Sequence, residues 1–94
     1  MGKGSTHIYS VSQADVDPAS IAIDAAGTVD VTVTGVAIGD IVLGCSHSQL
    51  STQTATIVGN VSAADTVRCV IFNKTGGALD LVAGTMRVAV LKAV

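Results

Sequence analysis

From residue 27 onward, short runs rich in valine, isoleucine and threonine are separated by glycines at 27, 35, 39, 44, 59, 76, 77 and 84. Brief apolar runs bounded by turn residues predict an all-β fold: a single-domain, antiparallel β-sandwich or jelly-roll-like structure. The clearest run is 28–34, where Val29, Val31 and Val33 alternate with Thr28, Asp30, Thr32 and Thr34. Period two turns the valines inward and the polar residues outward. Residues 35–40 then turn the chain into a run at 41–45, with Ile41, Leu43 and Cys45 expected on one face. After a polar loop at 46–53, the run 54–61 sets Ala55, Ile57 and Val61 against Thr54, Thr56, Val58 and Asn60. A turn at 62–65, a strand at 67–73, a reversal at 73–77, a short extended piece at 78–81, a turn at 82–85 and a last strand at 86–92 complete the pattern. Between 17 and 27 two patterns compete. Asp17-Pro18 is a helix start and Gly27 a stop, but Ile21 and Ile23 alternate, and a helix here would carry one apolar turn. An extended stretch over 20–24 with an Ala-Ala-Gly turn is therefore expected. Residues 1–13 predict a flexible arm, leaving 14–94 as the folded domain.

Two strands depart from the one-sided pattern. In the first, Val67, Cys69 and Ile71 oppose Arg68, Val70 and Phe72; in the second, Met86, Val88 and Val90 oppose Arg87, Ala89 and Leu91. An antiparallel strand packed on one core should have a polar outer face, and neither does. An arginine can sit at a packed contact with its stem buried and its head wet, so the faces carrying Arg68 and Arg87 are the outer ones. Arg68, Val70, Phe72, Arg87, Ala89 and Leu91 are accordingly expected to form a subunit interface in a closed oligomer, a homotrimer with a dimer as the runner-up. The competing expectation is that a loop or the N-terminal segment of the same chain covers them.

Composition sharpens this. The chain has 94 residues, 49% of them hydrophobic, yet its only aromatics are Tyr9 and Phe72. That excludes disorder. Seven aspartates and no glutamate face five Lys and Arg, a net charge of -2 that gives no electrostatic basis for binding nucleic acid. Asp40, Arg87 and Lys92 interrupt the apolar stretches well short of the ~18 residues of a membrane span. So small a domain usually needs additional stabilisation from disulfides, a metal or oligomerisation. Without a secretory signal at the start, Cys45 and Cys69 are expected to be two reduced thiols. Cys45, His47, Cys69 and His7 lack the spacing of a zinc site, so no metal is expected.

Chemistry-bearing patterns are few. Ser46, His47 and Ser48 adjoin without a G-x-S-x-G elbow, and no acid pair suited to glycoside hydrolysis is apparent. Asp30, Asp40, Asp65 and Asp80 fit turn and cap roles. An enzyme is not expected, nor a cofactor. MGKGST fits the loose myristoylation pattern, but a short flexible arm is the simpler account. Two sequons, at Asn60 and Asn73, matter only in a secretory pathway.

The stretches DPASIAIDAAGTVDVTVTGVAIGDIVLG at 17–44 and NVSAADTVRCVIFNKTGGALDLVAGTMRVAVLK at 60–92 resemble a family of small tailed-bacteriophage virion proteins. Its members are head decoration, or cement, proteins and modules of fibre proteins. The resembling features are a Pro-Ser-Ile-like entry (18–21), the valine–threonine strand, a G-x-x-x-G-D turn (35–40), VSAADTV (61–67), an N-x-T reversal (73–75) and an AGT turn before R-V-x-V (83–90). The chain departs from the pattern at Leu79-Asp80-Leu81-Val82, where relatives often carry a proline after the aspartate, and at Cys45 with its short polar loop. The resemblance implies a structural subunit that binds the outside of a phage head, contacts the major capsid protein and stabilises the shell. It implies assembly in the bacterial cytoplasm, residence in the virion, and an N-terminal arm with His7, Ile8 and Tyr9 that orders on the capsid. With no fibre shaft ahead of the domain, a head decoration protein is favoured. The alternative is a fibre module that binds a host receptor or glycan.

Overall fold

The computed structural model describes residues 7–93. Six strands form: β1 (Ile8–Val16), β2 (Ala26–Thr32), β3 (Ile41–His47), β4 (Ala55–Ala63), β5 (Thr66–Asn73) and β6 (Gly84–Leu91), with a 3-10 turn at Ser48–Thr52 between β3 and β4. They make two antiparallel three-stranded sheets, ordered β1-β6-β3 and β2-β5-β4. The all-β sandwich expected from the sequence is the fold observed.

Period two explains which side chains meet between the sheets. In β5, Val67, Cys69 and Ile71 are buried, and in β6 Met86, Val88 and Val90 are. Register aligns them with their neighbours: Val31, Val67 and Val61 form one inward row of the second sheet, and Tyr9, Val90 and Val42 one of the first. These rows share one core with Val16, Val33 and Val36. A second cluster of Ile21, Ile71, Leu79 and Leu81 fills one end.

The region at 17–27 is extended and not helical. Ile21 pairs with Leu79 through reciprocal backbone hydrogen bonds of 2.8 Å, and the turn falls at Ile23-Asp24, two residues before the expected Ala-Ala-Gly. Asp24 takes a positive φ of 57° there. Gly27 is needed for close approach, since a Cβ on it would lie 2.7 Å from the Ile21 side chain.

Two expectations are corrected. Residues 8–13 are not an arm: they pair with β6 from Ile8↔Leu91 to Gln13↔Met86 as the edge strand β1. Tyr9, Val11 and, beyond a bulge at residues 14–15, Val16 bury against the core, which supplies the free energy that orders them. Residues 1–6 of the expected arm lie outside the described residues. The second correction concerns β3, where Ile41 and Leu43 face out while Val42 and Cys45 face in. The cause is a bulge. Register slips between Val42 and Gly44, so that Leu43 and Gly44 together oppose Ala89, and the extra residue reverses the parity of everything beyond it.

Loops are fixed by side-chain hydrogen bonds. The Asp65 carboxylate accepts from Gly35 N–H at 2.8 Å, and its backbone bonds Val33 and Val36, clamping the β4–β5 turn to the turn after β2. Asn73 is fully buried; its amide nitrogen donates to the carbonyls of Ile21, Ala22 and Gly77, and its oxygen accepts from Thr75 N–H and Oγ1. The N-x-T element thus folds as a polar knot joining two loops, and the Asn73 amide is not free to carry a glycan in the folded chain.

Candidate functional site: the outer faces of the sheets

β5 and β6 are each the central strand of a different sheet. The six residues expected on one interface therefore divide. Arg68, Val70 and Phe72 lie on the outside of one sheet, and Arg87, Ala89 and Leu91 on the outside of the other. Strand pattern alone shows which residues share a face of one strand, but not which strands share a sheet.

The outer face of β1-β6-β3 has three rows set by register. Ile8, Leu91 and Ile41 form the first; Ser10, Ala89 and Gly44 the second; Ser12, Arg87 and Ser46 the third. Ile8 and Ile41 are more than half exposed, at 55% and 56%, and the bulge adds Leu43 at 53%. Small side chains in the middle row leave an open depression of about 340 Å³, bordered by Leu43 and Arg87. The Arg87 guanidinium bonds the Ser12 hydroxyl at 3.2 Å, and among the described residues it has no carboxylate partner. The face grades from aliphatic to cationic across a shallow trough.

On β2-β5-β4 the corresponding rows are Ala26–Phe72–Thr56, Thr28–Val70–Val58 and Asp30–Arg68–Asn60. Phe72 and Val58 are 40% and 47% exposed, with Val70 half-buried between Thr28 and Val58. Arg68 pairs with Asp30 at 3.1 Å, both side chains open to solvent, a contact worth ~0–1 kcal/mol. This apolar island is smaller than the aliphatic row on the opposite face.

The expected arm residues separate as well. Tyr9 turns inward over Gly35 and stacks with exposed His7, ring centroids 5.8 Å apart. Ile8 turns outward beside Leu91. One member of the expected capsid contact and one of the expected interface thus share a surface. Ile41 and Leu43 belong to that surface, whereas strand alternation put them on one face with Cys45; the glycine within the run, Gly44, is the signal of a bulge that marks the shift.

The polar groups singled out for chemistry are structural. His47 is buried; its Nδ1 accepts from Gln49 N–H at 3.2 Å, capping the 3-10 turn, so Nε2 carries the hydrogen it donates to Val16 O at 2.9 Å. Ser48 Oγ accepts from Thr85 N–H at 3.0 Å. Both ring nitrogens of His47 are committed, leaving neither to activate a neighbouring hydroxyl. Asp40 is buried too, and accepts from Ala37 N–H, Ala93 N–H and Lys92 Nζ, tying the end of the described chain to the turn before β3. Those bonds hold its carboxyl below the usual carboxylate range, the Ala37 bond most strongly. No group of three or more potential metal ligands occurs among the described residues.

No protein-family model matches the chain, and neither a curated protein nor a solved structure matches it.

Proposed function

We propose that the chain is a structural virion subunit, a decoration or cement protein that binds the outside of a bacteriophage head and stabilises it. The observation that carries this is the outer face of β1-β6-β3, where Ile8, Leu91, Ile41 and Leu43 occupy positions that a solvated antiparallel sheet gives to polar residues. The resemblance of 17–44 and 60–92 to small phage virion proteins points the same way. In this reading the aliphatic row and Arg87 meet the major capsid protein, while the Val58, Val70 and Phe72 island meets other copies in a homotrimer, or failing that a dimer. A cement protein runs no reaction. It adds buried area across joints between capsomers, and many copies turn a modest contact into a large avidity.

The test uses expanded capsids of the same virus assembled without this protein. Purified chain should co-sediment with them, and Leu43→Asp should abolish that while leaving the unfolding midpoint unchanged, because full burial of one leucine contributes about 1.5–3 kcal/mol per copy. Val70→Asp should dissociate the oligomer seen by light scattering. A monodisperse monomer at micromolar concentration would remove the oligomer from the reading. Binding to host cells or glycans, with none to capsids, would replace it with the fibre-module alternative.

A further inference from the structure

Cys45 lies on β3, in one sheet, and Cys69 on β5, in the other; both are free thiols facing the shared core. Their proximity follows from Gly59. In the β4–β5 register Gly59 is directly opposite Cys69, and a Cβ built on Gly59 would lie 3.2 Å from the Cys45 sulfur. Opposed residues of an antiparallel pair have Cα atoms about 4.5–5.5 Å apart. The Cys45 side chain therefore reaches across the sandwich into the space that the missing Gly59 side chain leaves beside Cys69.

We propose that Cys45 and Cys69 are the two halves of a reversible disulfide that staples one sheet of the sandwich to the other. The oxidant is a small-molecule disulfide such as oxidised glutathione. Cys45 is the entry point. It is only half-buried, whereas Cys69 is fully enclosed. Its acidity agrees with that role: the adjacent Cys69 thiol pushes Cys45 down, while the Cys45 thiol and burial push Cys69 up. In the first step the Cys45 thiolate attacks one sulfur of the oxidant, its S–S bond breaks, and one glutathione leaves as a thiolate that takes up a proton. In the second, Cys69 gives up its proton and attacks the Cys45 sulfur, expelling the second glutathione. Two protein thiols are oxidised and one glutathione disulfide is reduced to two thiols. In a reducing cytoplasm the pair stays open, and outside the cell it closes. The inference stands whether or not the capsid reading does.

Folded wild-type protein is incubated with oxidised glutathione, alkylated, denatured and weighed intact. The expected product is a monomer lighter by two hydrogen atoms, with no alkylated cysteine, an unfolding midpoint raised by about 10 °C, and full reversal by dithiothreitol. Cys69→Ser should stop as a single glutathione adduct on Cys45, and Cys45→Ser should take up none. Wild-type protein that keeps two alkylatable thiols, stops at the mixed disulfide, or crosslinks between chains would overturn the proposal. That measurement needs no variant to fold.

Discussion

Replacing Asn73 by aspartate changes one side-chain nitrogen to oxygen and tests the polar knot directly. The wild-type amide nitrogen donates at 3.1 Å to Ile21 O, at 3.1 Å to Ala22 O and at 2.7 Å to Gly77 O, from a side chain with no solvent exposure. In Asn73→Asp the shape and the contacts to Thr75 are kept, but the carbonyls of Ile21, Ala22 and Gly77 each lose one of two donors, keeping Leu79 N–H, Ala25 N–H and Thr75 Oγ1 respectively, and face a buried carboxylate. Each lost bond is worth about 0.5–1.5 kcal/mol, and the new charge, buried without donors on that side, adds more than about 1–3 kcal/mol. Even with partial relaxation, the loss at pH 7 should be about 4 kcal/mol, a large share of the roughly 5–14 kcal/mol expected for a domain of this length. The sign of the pH dependence follows from the introduced carboxyl. Burial among carbonyls raises its folded pKa above the unfolded value of about 3.9, so the deficit relative to wild type is largest at neutral pH and shrinks as pH falls towards 4. Asn73→Ala, which introduces no charge, should show a deficit that does not vary with pH. Urea unfolding followed by far-ultraviolet circular dichroism suits a chain without tryptophan. A loss below about 1 kcal/mol, or parallel pH profiles for the two variants, would refute the assignment of the three carbonyls to one amide.

Three further outcomes are expected. Gly84→Ala should destabilise by about 1–3 kcal/mol in the same assay, because its Cβ would lie 2.6 Å from Ser48 Oγ and 2.7 Å from His47 Cε1; an unchanged urea midpoint would mean that the AGT turn does not pack on the 3-10 turn. Asp40 has a lowered pKa, so its stabilisation is present above about pH 3.9 and is lost as pH falls through the folded value. Wild type should therefore outlast Asp40→Asn at pH 6 by a margin that narrows in acid, measured by thermal unfolding across a pH series, and a constant margin would contradict the Ala37, Ala93 and Lys92 contacts. Asp65→Ala should cost about 1–2 kcal/mol and speed amide exchange at Gly35, whose hydrogen bond it removes; unaltered exchange there would separate the two turns.

Four of the six strands are legible from alternation alone, because β2, β4, β5 and β6 keep period two with the apolar set on the buried side. β1 is harder to read, since its alternation of Tyr9 and Val11 with Ser10 and Ser12 is short, with an outward Ile8 before it and an exposed Gln13 after it. The parity of β3 is hidden by a bulge, a backbone event that only Gly44 hints at. Of the expected surface, the excess of apolar outer positions on β5 and β6 is visible in sequence, but its division is not. Residues 66–73 and 84–91 are neighbours along the chain and occupy different sheets, because pairing is decided by distant partners: β6 by β1 and β3, and β5 by β2 and β4. Asn73 reads as a turn residue or a glycosylation signal, and only its five hydrogen bonds reveal it as the joint between loops 52 positions apart.

The central position of β6 has a consequence for how the protein is made. As synthesis proceeds, β2, β4 and β5 are all made before the last strand and can pair at once, β4 and β5 as a hairpin, whereas β1 and β3 have no sheet partner until the final strand of the sandwich appears. Until then Tyr9, Val11, Val42 and Cys45 are open to water on two unpaired strands, and closing the first sheet requires a contact between the extreme ends of the domain. Such long-range closure is slow and exposes strand edges to other nascent chains. Half of the sandwich is thus a template that waits for its last strand, and a chain cut short before residue 84 would remain an open, sticky half-molecule.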